Sequence, residues 1–171
     1  RSISVTAFEV DPALAELLTQ TLEDCRAACE EAGVRFASRI VEDDYILHSA
    51  EPLLEVVEGF NCAILNPPYA KINSASRWRL ALRSQGIETV NLYSAFVALA
   101  LNQLEPGGEL VAITPRSFCN GPYYRPFREH LLGLSSLERL YVFESRKKAF
   151  KDDAVLQENV IFHLRRGEPQ S

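Results

Sequence analysis

Methionine is missing altogether from the 171 residues, tryptophan occurs once and glycine only eight times. A chain that opens on Arg1 with no initiator reads as a fragment or processed piece of a longer protein. No apolar run approaches the roughly 18 residues of a membrane-spanning helix. No basic-apolar leader opens the chain either, so the expected location is the cytoplasm. Cysteine is scarce, with Cys25, Cys29, Cys62 and Cys119 its four instances. Cys25 and Cys29 share one face of a helical stretch, but no second Cys pair and no spaced His pair completes a zinc site. No metal is expected, and the thiols are expected to be buried and free. Positive charge is also in deficit: the net charge is −5. That excludes a protein that holds nucleic acid by overall charge alone, because phosphate binding needs clustered Lys and Arg.

The cationic residues that are present fall in groups. Arg77, Arg79 and Arg83 form one, Arg125 and Arg128 a second, and Arg146, Lys147, Lys148 and Lys151 a third. The acids concentrate between positions 9 and 58. Each basic group is either a solvated helix face or part of one face that meets DNA. With 47% hydrophobic and 24% charged residues, the chain has the balance of an ordinary globular domain. Its length allows one domain with a sizeable core, and residues 1–171 are read as a single, partial domain.

Strand and helix patterns alternate. Residues 3–9 are apolar and β-rich and stop at Asp11-Pro12, a helix opening in which Asp caps and Pro occupies the first turn. A long helix is expected from Pro12 to Glu31, ended by Gly33, with a strand over 34–41. A short helix is expected over 51–58 and a short, fully apolar strand over 60–65, as in the middle of a parallel sheet. Residues 70–88 read as a loop with a short helix, 90–104 as a strong helix, and Pro106-Gly107-Gly108 as a turn before a strand at 109–114. A helix near 123–132 and strands at 137–143 and 156–164 complete the pattern. This alternation implies an α/β sheet with helices on both faces. The last two strands have no helix between them, which suggests an antiparallel pair at the sheet edge. Ligands in such sheets sit beyond the carboxyl ends of the strands, where Glu9, Asp44 and Asn66 fall.

The apolar strand at 60–65 runs straight into Asn66-Pro67-Pro68-Tyr69. Methylating an aromatic amine is hard because the nitrogen lone pair is delocalised into the ring. Two neutral acceptors that take both N–H groups can localise that pair. The Asn66 amide oxygen and the Pro67 carbonyl are such acceptors. Two consecutive prolines fix φ and remove two competing N–H donors. Tyr69 adds an aromatic face for a flipped-out base. Positioning and electrostatics then carry the reaction. The bland alternative is a simple turn after a strand.

On these residues the sequence resembles the class I S-adenosylmethionine-dependent methyltransferases of the N6-adenine DNA type. The resemblance implies a Rossmann-like sheet, mostly parallel with an antiparallel edge pair. It implies catalytic roles for Asn66, Pro67 and Tyr69, with Asn66 and Pro68 also lining the cofactor site. Phe8-Glu9-Val10-Asp11-Pro12 resembles the strand whose terminal acid binds the cofactor ribose, which implies that role for Glu9. Asp44-Tyr45 resembles the pair that holds the cofactor adenine, with Asp43 a rival to Asp44. Asn91-Leu92-Tyr93, Pro106-Gly107-Gly108, Ala149-Phe150 and Val155 through Val160 resemble the restriction-modification branch. That branch implies that Phe150 sandwiches the target adenine opposite Tyr69. Phe143 is a substitute for it, and core packing the alternative role. Lys147, Lys148 and Lys151 would meet DNA phosphates.

The family's Gly-rich cofactor motif should lie before Phe8, where only seven residues stand and none is Gly. The resemblance therefore implies that the first, central strand and the DNA-recognition domain are missing, and that the 171 residues alone bind S-adenosylmethionine weakly. The partner implied is double-stranded DNA with a flipped adenine. Two other readings stay open. One is a methyltransferase that uses the same tetrapeptide on RNA or protein glutamine. The other is a non-catalytic DNA-binding domain of the same fold.

Overall fold

The structure, a computed structural model, describes residues 1–50, 59–143 and 158–167. The chain divides into two compact units, Arg1–His48 and Ser49–Ser171.

In the first unit, β1 (Ser2–Phe8) pairs in parallel with β2 (Arg35–Val41), in register from Ser2↔Arg35 to Phe8↔Val41. Helix α1 (Pro12–Glu31) links them and packs on β2. Its limits are the expected ones, for local reasons. Asp11 Oδ1 accepts from the Ala13 and Leu14 amides at 2.9 and 3.4 Å, Pro12 opens the first turn, and Gly33 leaves it at φ 68°. Helix α2 (Tyr45–Ala50) was not expected. It starts because Asp44 Oδ1 accepts from the Leu47 amide at 3.0 Å. The short helix expected over 51–58 lies outside the described residues.

The second unit holds a four-stranded sheet in the order β3-β4-β6-β5, where β3 is Phe60–Leu65, β4 Leu104–Pro115, β5 Ser135–Val142 and β6 Asn159–Arg166. β3 and β4 are parallel, and β6 is antiparallel to both β4 and β5. The expected antiparallel pair is therefore β5–β6, with β5 at the edge. Helices α3 (Arg77–Ser84), α4 (Leu92–Gln103) and α5 (Arg125–Leu134) complete the unit, with a 3-10 turn at Arg116–Cys119. α4 is apolar nearly all round and buries Tyr93 through Ala95 and Val97 through Leu101. It packs against β3, β4 and α5. Phe118 joins α5 to the sheet, its ring 5.6 Å from Phe127 and 5.3 Å from Phe162.

Three expectations need correction. β4 begins at Leu104 rather than 109, because Pro106-Gly107-Gly108 is an irregularity within a continuous strand and not a turn. Gly107 sits at φ 83°, and a Cβ on Gly108 would stand 2.9 Å from the Glu105 carbonyl and 3.1 Å from that of Phe60. β3 is not buried on both faces. Among the described residues it pairs only with β4, and Ile64 is 88% exposed while Ala63 and Leu65 turn toward the buried face of Leu110 and Ala112. The thiols are free but not buried: Cys25 and Cys62 are exposed, and Cys29 and Cys119 half-buried. No helix among the described residues is long and apolar enough to cross a membrane.

Candidate active site

Glu9 follows β1 directly, and its amide donates to the Val41 carbonyl at 3.1 Å, so it stands at the shared carboxyl edge of β1 and β2. Its Oε1 accepts from the Val10 and Asp11 amides, each at 2.8 Å. The turn into α1 thus orients the carboxylate through one oxygen. Tyr45 is buried, and its ring meets that of Phe8 edge-on at 5.0 Å. Asp43 contributes to the same turn by two contacts. Its Oδ1 accepts from the Asp44 amide at 2.7 Å, and its Oδ2 lies 3.3 Å from His48 Nδ1. Glu9, Asp44 and Tyr45 are thus neighbours at one strand edge of the first unit.

In the second unit, Asn66 through Tyr69 leave the carboxyl end of β3. Asn66 and Pro68 are exposed, Pro67 buried and Tyr69 half-buried. A buried Pro67 between two exposed neighbours pins the turn and leaves the Asn66 amide outward. The next residues are fastened to the start of α4. The Ile72 amide donates to the Val90 carbonyl at 2.7 Å and the Leu92 amide to the Ala70 carbonyl at 2.8 Å, around an antiparallel bridge between Lys71 and Asn91. The Tyr69 ring stands edge-on to Tyr93, with centroids 6.3 Å apart. The Tyr69 hydroxyl is buried without a hydrogen-bond partner among the described residues, and burial pushes its pKa up. Burial drives the Tyr93 hydroxyl far higher, its largest cause being desolvation, and that hydroxyl lies 3.3 Å from Ser117 Oγ. Both phenols are neutral at physiological pH.

Two of the basic residues, Arg79 and Arg128, have structural partners. Arg79 is 6% exposed and donates to Glu88 Oε1 through Nη2, while Arg83 Nε reaches Glu88 Oε2 at 3.2 Å. Arg128 donates to the Phe118 and Gly121 carbonyls at 2.9 and 2.8 Å, fixing the loop before α5. Phe150, Lys147, Lys148 and Lys151 lie outside the described residues. Phe143 is described: it is half-buried and edge-on to Tyr141 at 5.0 Å. No group of His, Cys, Asp and Glu able to hold a metal ion occurs among the described residues.

Sequence reasoning gave no role to Asn91 or Tyr124. Asn91 Nδ2 donates to the Tyr124 hydroxyl at 2.8 Å. The partners lie 33 residues apart, and nothing in the local sequence of either announces the bond.

The chain is similar to proteins of known class. A family model described as Eco57I restriction-modification methylase matches residues 13–150. The Type II methyltransferase M.PstI of Providencia stuartii is 52% identical over 172 residues, covering 99% of this chain and 34% of that protein. M.BsuBI of Bacillus subtilis is 50% identical over 170 residues, covering 95% of this chain and 33% of that protein. The chain thus spans about a third of the length of these relatives. A solved structure from Listeria monocytogenes, described as a class I S-adenosylmethionine-dependent methyltransferase, superposes with a TM-score of 0.60 at 12% identity, over 96% of this chain and 54% of that one. That likeness establishes the mixed α/β fold of the class I methyltransferases. The family match extends over most of the chain, from α1 past β5 and across the Asn66–Tyr69 turn, and the chain belongs to the Eco57I restriction-modification methylase family.

Proposed function

We propose that these residues form part of the catalytic domain of a restriction-modification enzyme that transfers a methyl group from S-adenosylmethionine to the N6 amino group of adenine in double-stranded DNA. The observation that carries the reading is the Asn66-Pro67-Pro68-Tyr69 turn at the carboxyl end of β3, held by buried Pro67 and by the bridge to Asn91. Family membership supports DNA as the substrate.

The cofactor, when bound, supplies an electrophilic methyl group on a sulfonium. Glu9 suits its ribose: one carboxylate oxygen is fixed by two amides, and the other can accept from hydroxyls. Asp44 and Tyr45, which follow β2 in the same unit, suit the cofactor adenine, and Asn66 and Pro68 of the second unit are cofactor-binding residues in the same reading. At the target base, Asn66 Oδ1 and the Pro67 carbonyl accept from the two N–H groups of the amine, which localises its lone pair for attack. Pro67 and Pro68 bring no N–H donor to compete. Tyr69 stacks on the base, opposite an aromatic supplied by Phe150, and Lys147, Lys148 and Lys151 hold phosphates. The proton leaves the nitrogen after transfer, so no strong base is required.

The test uses the full-length protein and labelled cofactor, with adenine-containing duplex DNA, tRNA and a glutamine peptide as acceptors. Label is expected in DNA, on N6 of adenine. Asn66→Ala should lower the rate on the order of 10²–10³-fold, as for loss of one preorganised polar group. Asn66 is exposed, so its stability should change by only about 0.5 kcal/mol or less. Undiminished DNA methylation by Asn66→Ala would sink the mechanism, and label confined to tRNA or peptide would sink the substrate.

A further inference from the structure

Asn91 is the N-cap residue of α4, yet its side chain makes no capping bond. Asn at this position ordinarily accepts from the amide two or three residues on. Here the side chain is 92% covered, since Asn91 is 8% exposed, and Nδ2 is directed to the Tyr124 hydroxyl at 2.8 Å. The side chain thus bonds Tyr124 and not the first turn of α4. Tyr124 in turn lies tilted against Tyr93, with centroids 6.1 Å apart and planes at 36°. Tyr93 is 3% exposed and wedged by three further contacts: Phe127 edge-on at 6.5 Å, Ser117 Oγ at its hydroxyl, and Tyr69 edge-on at 6.3 Å. The same Asn91 also pairs through its backbone with Lys71, two residues beyond Tyr69. Asn91 therefore sits between the two backbone bonds that fasten the segment after the catalytic turn, Ile72 to Val90 and Leu92 to Ala70, and its side chain reaches the ring stack on which Tyr69 leans.

We propose that Asn91 and Tyr124 are positioning residues for the catalytic turn. Their hydrogen bond fixes the Tyr124–Tyr93 pair, and that pair sets the angle at which Tyr69 presents its ring to the target base. The proposal rests on the reading of Tyr69 as a base-stacking residue. Neither Asn91 nor Tyr124 touches the base in this scheme. What they supply is the preorganisation of a side chain whose own hydroxyl makes no hydrogen bond among the described residues.

The experiment compares full-length wild type, Tyr69→Ala, Tyr124→Phe, Asn91→Leu and the Asn91→Leu/Tyr124→Phe pair. The readouts are kcat, KM for cofactor and DNA, melting temperature, and fluorescence of duplex DNA carrying 2-aminopurine at the target adenine. Tyr124→Phe keeps the ring and deletes one oxygen, so it tests the bond without removing packing. The expected result is a kcat about tenfold lower in each single variant, with cofactor KM within about twofold, because misplacing a group affects the reacting geometry more than cofactor binding. The double variant should be no worse than either single one, since both remove the same bond. The 2-aminopurine signal of Tyr124→Phe should move toward that of Tyr69→Ala, a change that a purely structural role would not produce. A lowered melting temperature with wild-type kcat and fluorescence in Tyr124→Phe and Asn91→Leu would overturn the proposal. If instead Tyr69→Ala itself keeps wild-type kcat and fluorescence, the base-stacking reading fails and takes the proposal with it.

Discussion

Tyr69 and Tyr93 meet edge to face, with planes at 86° and centroids 6.3 Å apart, and the Tyr69 hydroxyl has no hydrogen-bond partner among the described residues. A buried hydroxyl without a hydrogen bond costs stability, since it has lost water and gained nothing. Tyr69→Phe should therefore leave the melting temperature unchanged or raise it, and should retain methyl transfer to DNA within a few-fold. Tyr69→Ala removes the ring and should lose most activity. Thermal denaturation and the labelled-cofactor assay check both, and a clear loss of activity in Tyr69→Phe would show that the hydroxyl does chemistry the ring alone cannot.

These two tyrosines also mark how far the sequence could be read. α1 was legible to the residue, because Asp11, Pro12 and Gly33 act within their own neighbourhood. The Asn66–Tyr69 turn was legible because its chemistry is contiguous. α2 was missed because Asp44 was given to the cofactor, while its carboxylate also starts a helix. The start of β4 was missed because Pro-Gly-Gly is a turn by local rule, and the strand is carried through it by pairing across to Phe60. The exposure of Ile64 was missed because an apolar run implies burial without saying which neighbour provides it. The Asn91–Tyr124 bond joins residues brought together only by the packing of α4, and nothing local announces it.

Glu9 yields a second prediction. In the full-length protein, Glu9→Ala removes the acceptor proposed for the cofactor ribose and should weaken S-adenosylmethionine binding by about tenfold or more, close to 1.4 kcal/mol. Glu9→Gln keeps an oxygen for the Val10 and Asp11 amides and should fold normally while binding more weakly than wild type. The 171 residues alone should bind the cofactor weakly or not at all. Calorimetry measures all three, and tight binding by the 171-residue chain would show that these residues hold the cofactor without a Gly-rich strand.

A third prediction concerns pH. Burial lowers the pKa of His130 below the ordinary histidine value, partly opposed by a backbone hydrogen bond with Ala98, and Nε2 lies 3.1 Å from Asn102 Oδ1. The unfolded chain therefore binds a proton at His130 at a higher pH than the folded one. Stability is full above the unfolded pKa of about 6.5 and falls as pH drops from there toward the lower folded value. His130→Gln can still donate to Asn102 and does not titrate. Its melting temperature should fall less than that of wild type between about pH 7 and pH 5, where this histidine changes charge. Equal slopes for the two proteins would remove His130 from the acid response.

The fourth prediction uses the thiols to ask what covers β3. Cys62 is exposed and shares the open face of the strand with Ile64, which is 88% exposed. Apolar side chains on an exposed sheet face are ordinarily covered by another element. If another part of the full-length protein packs over that face, Cys62 is enclosed there and open in the 171-residue chain. Cys25, on the exposed side of α1, serves as an internal reference in both. Cys119 is half-buried, with burial pushing its thiol pKa up against the pull of Arg116 and Arg128, and should react slowly in both. Alkylation followed by peptide mass spectrometry is expected to label Cys62 as fast as Cys25 in the 171-residue chain. In the full-length protein Cys62 should be at least about tenfold slower, as a thiol that reacts only on local opening is. Equal labelling of Cys62 in both proteins would mean that this face of β3 stays uncovered in the full-length protein.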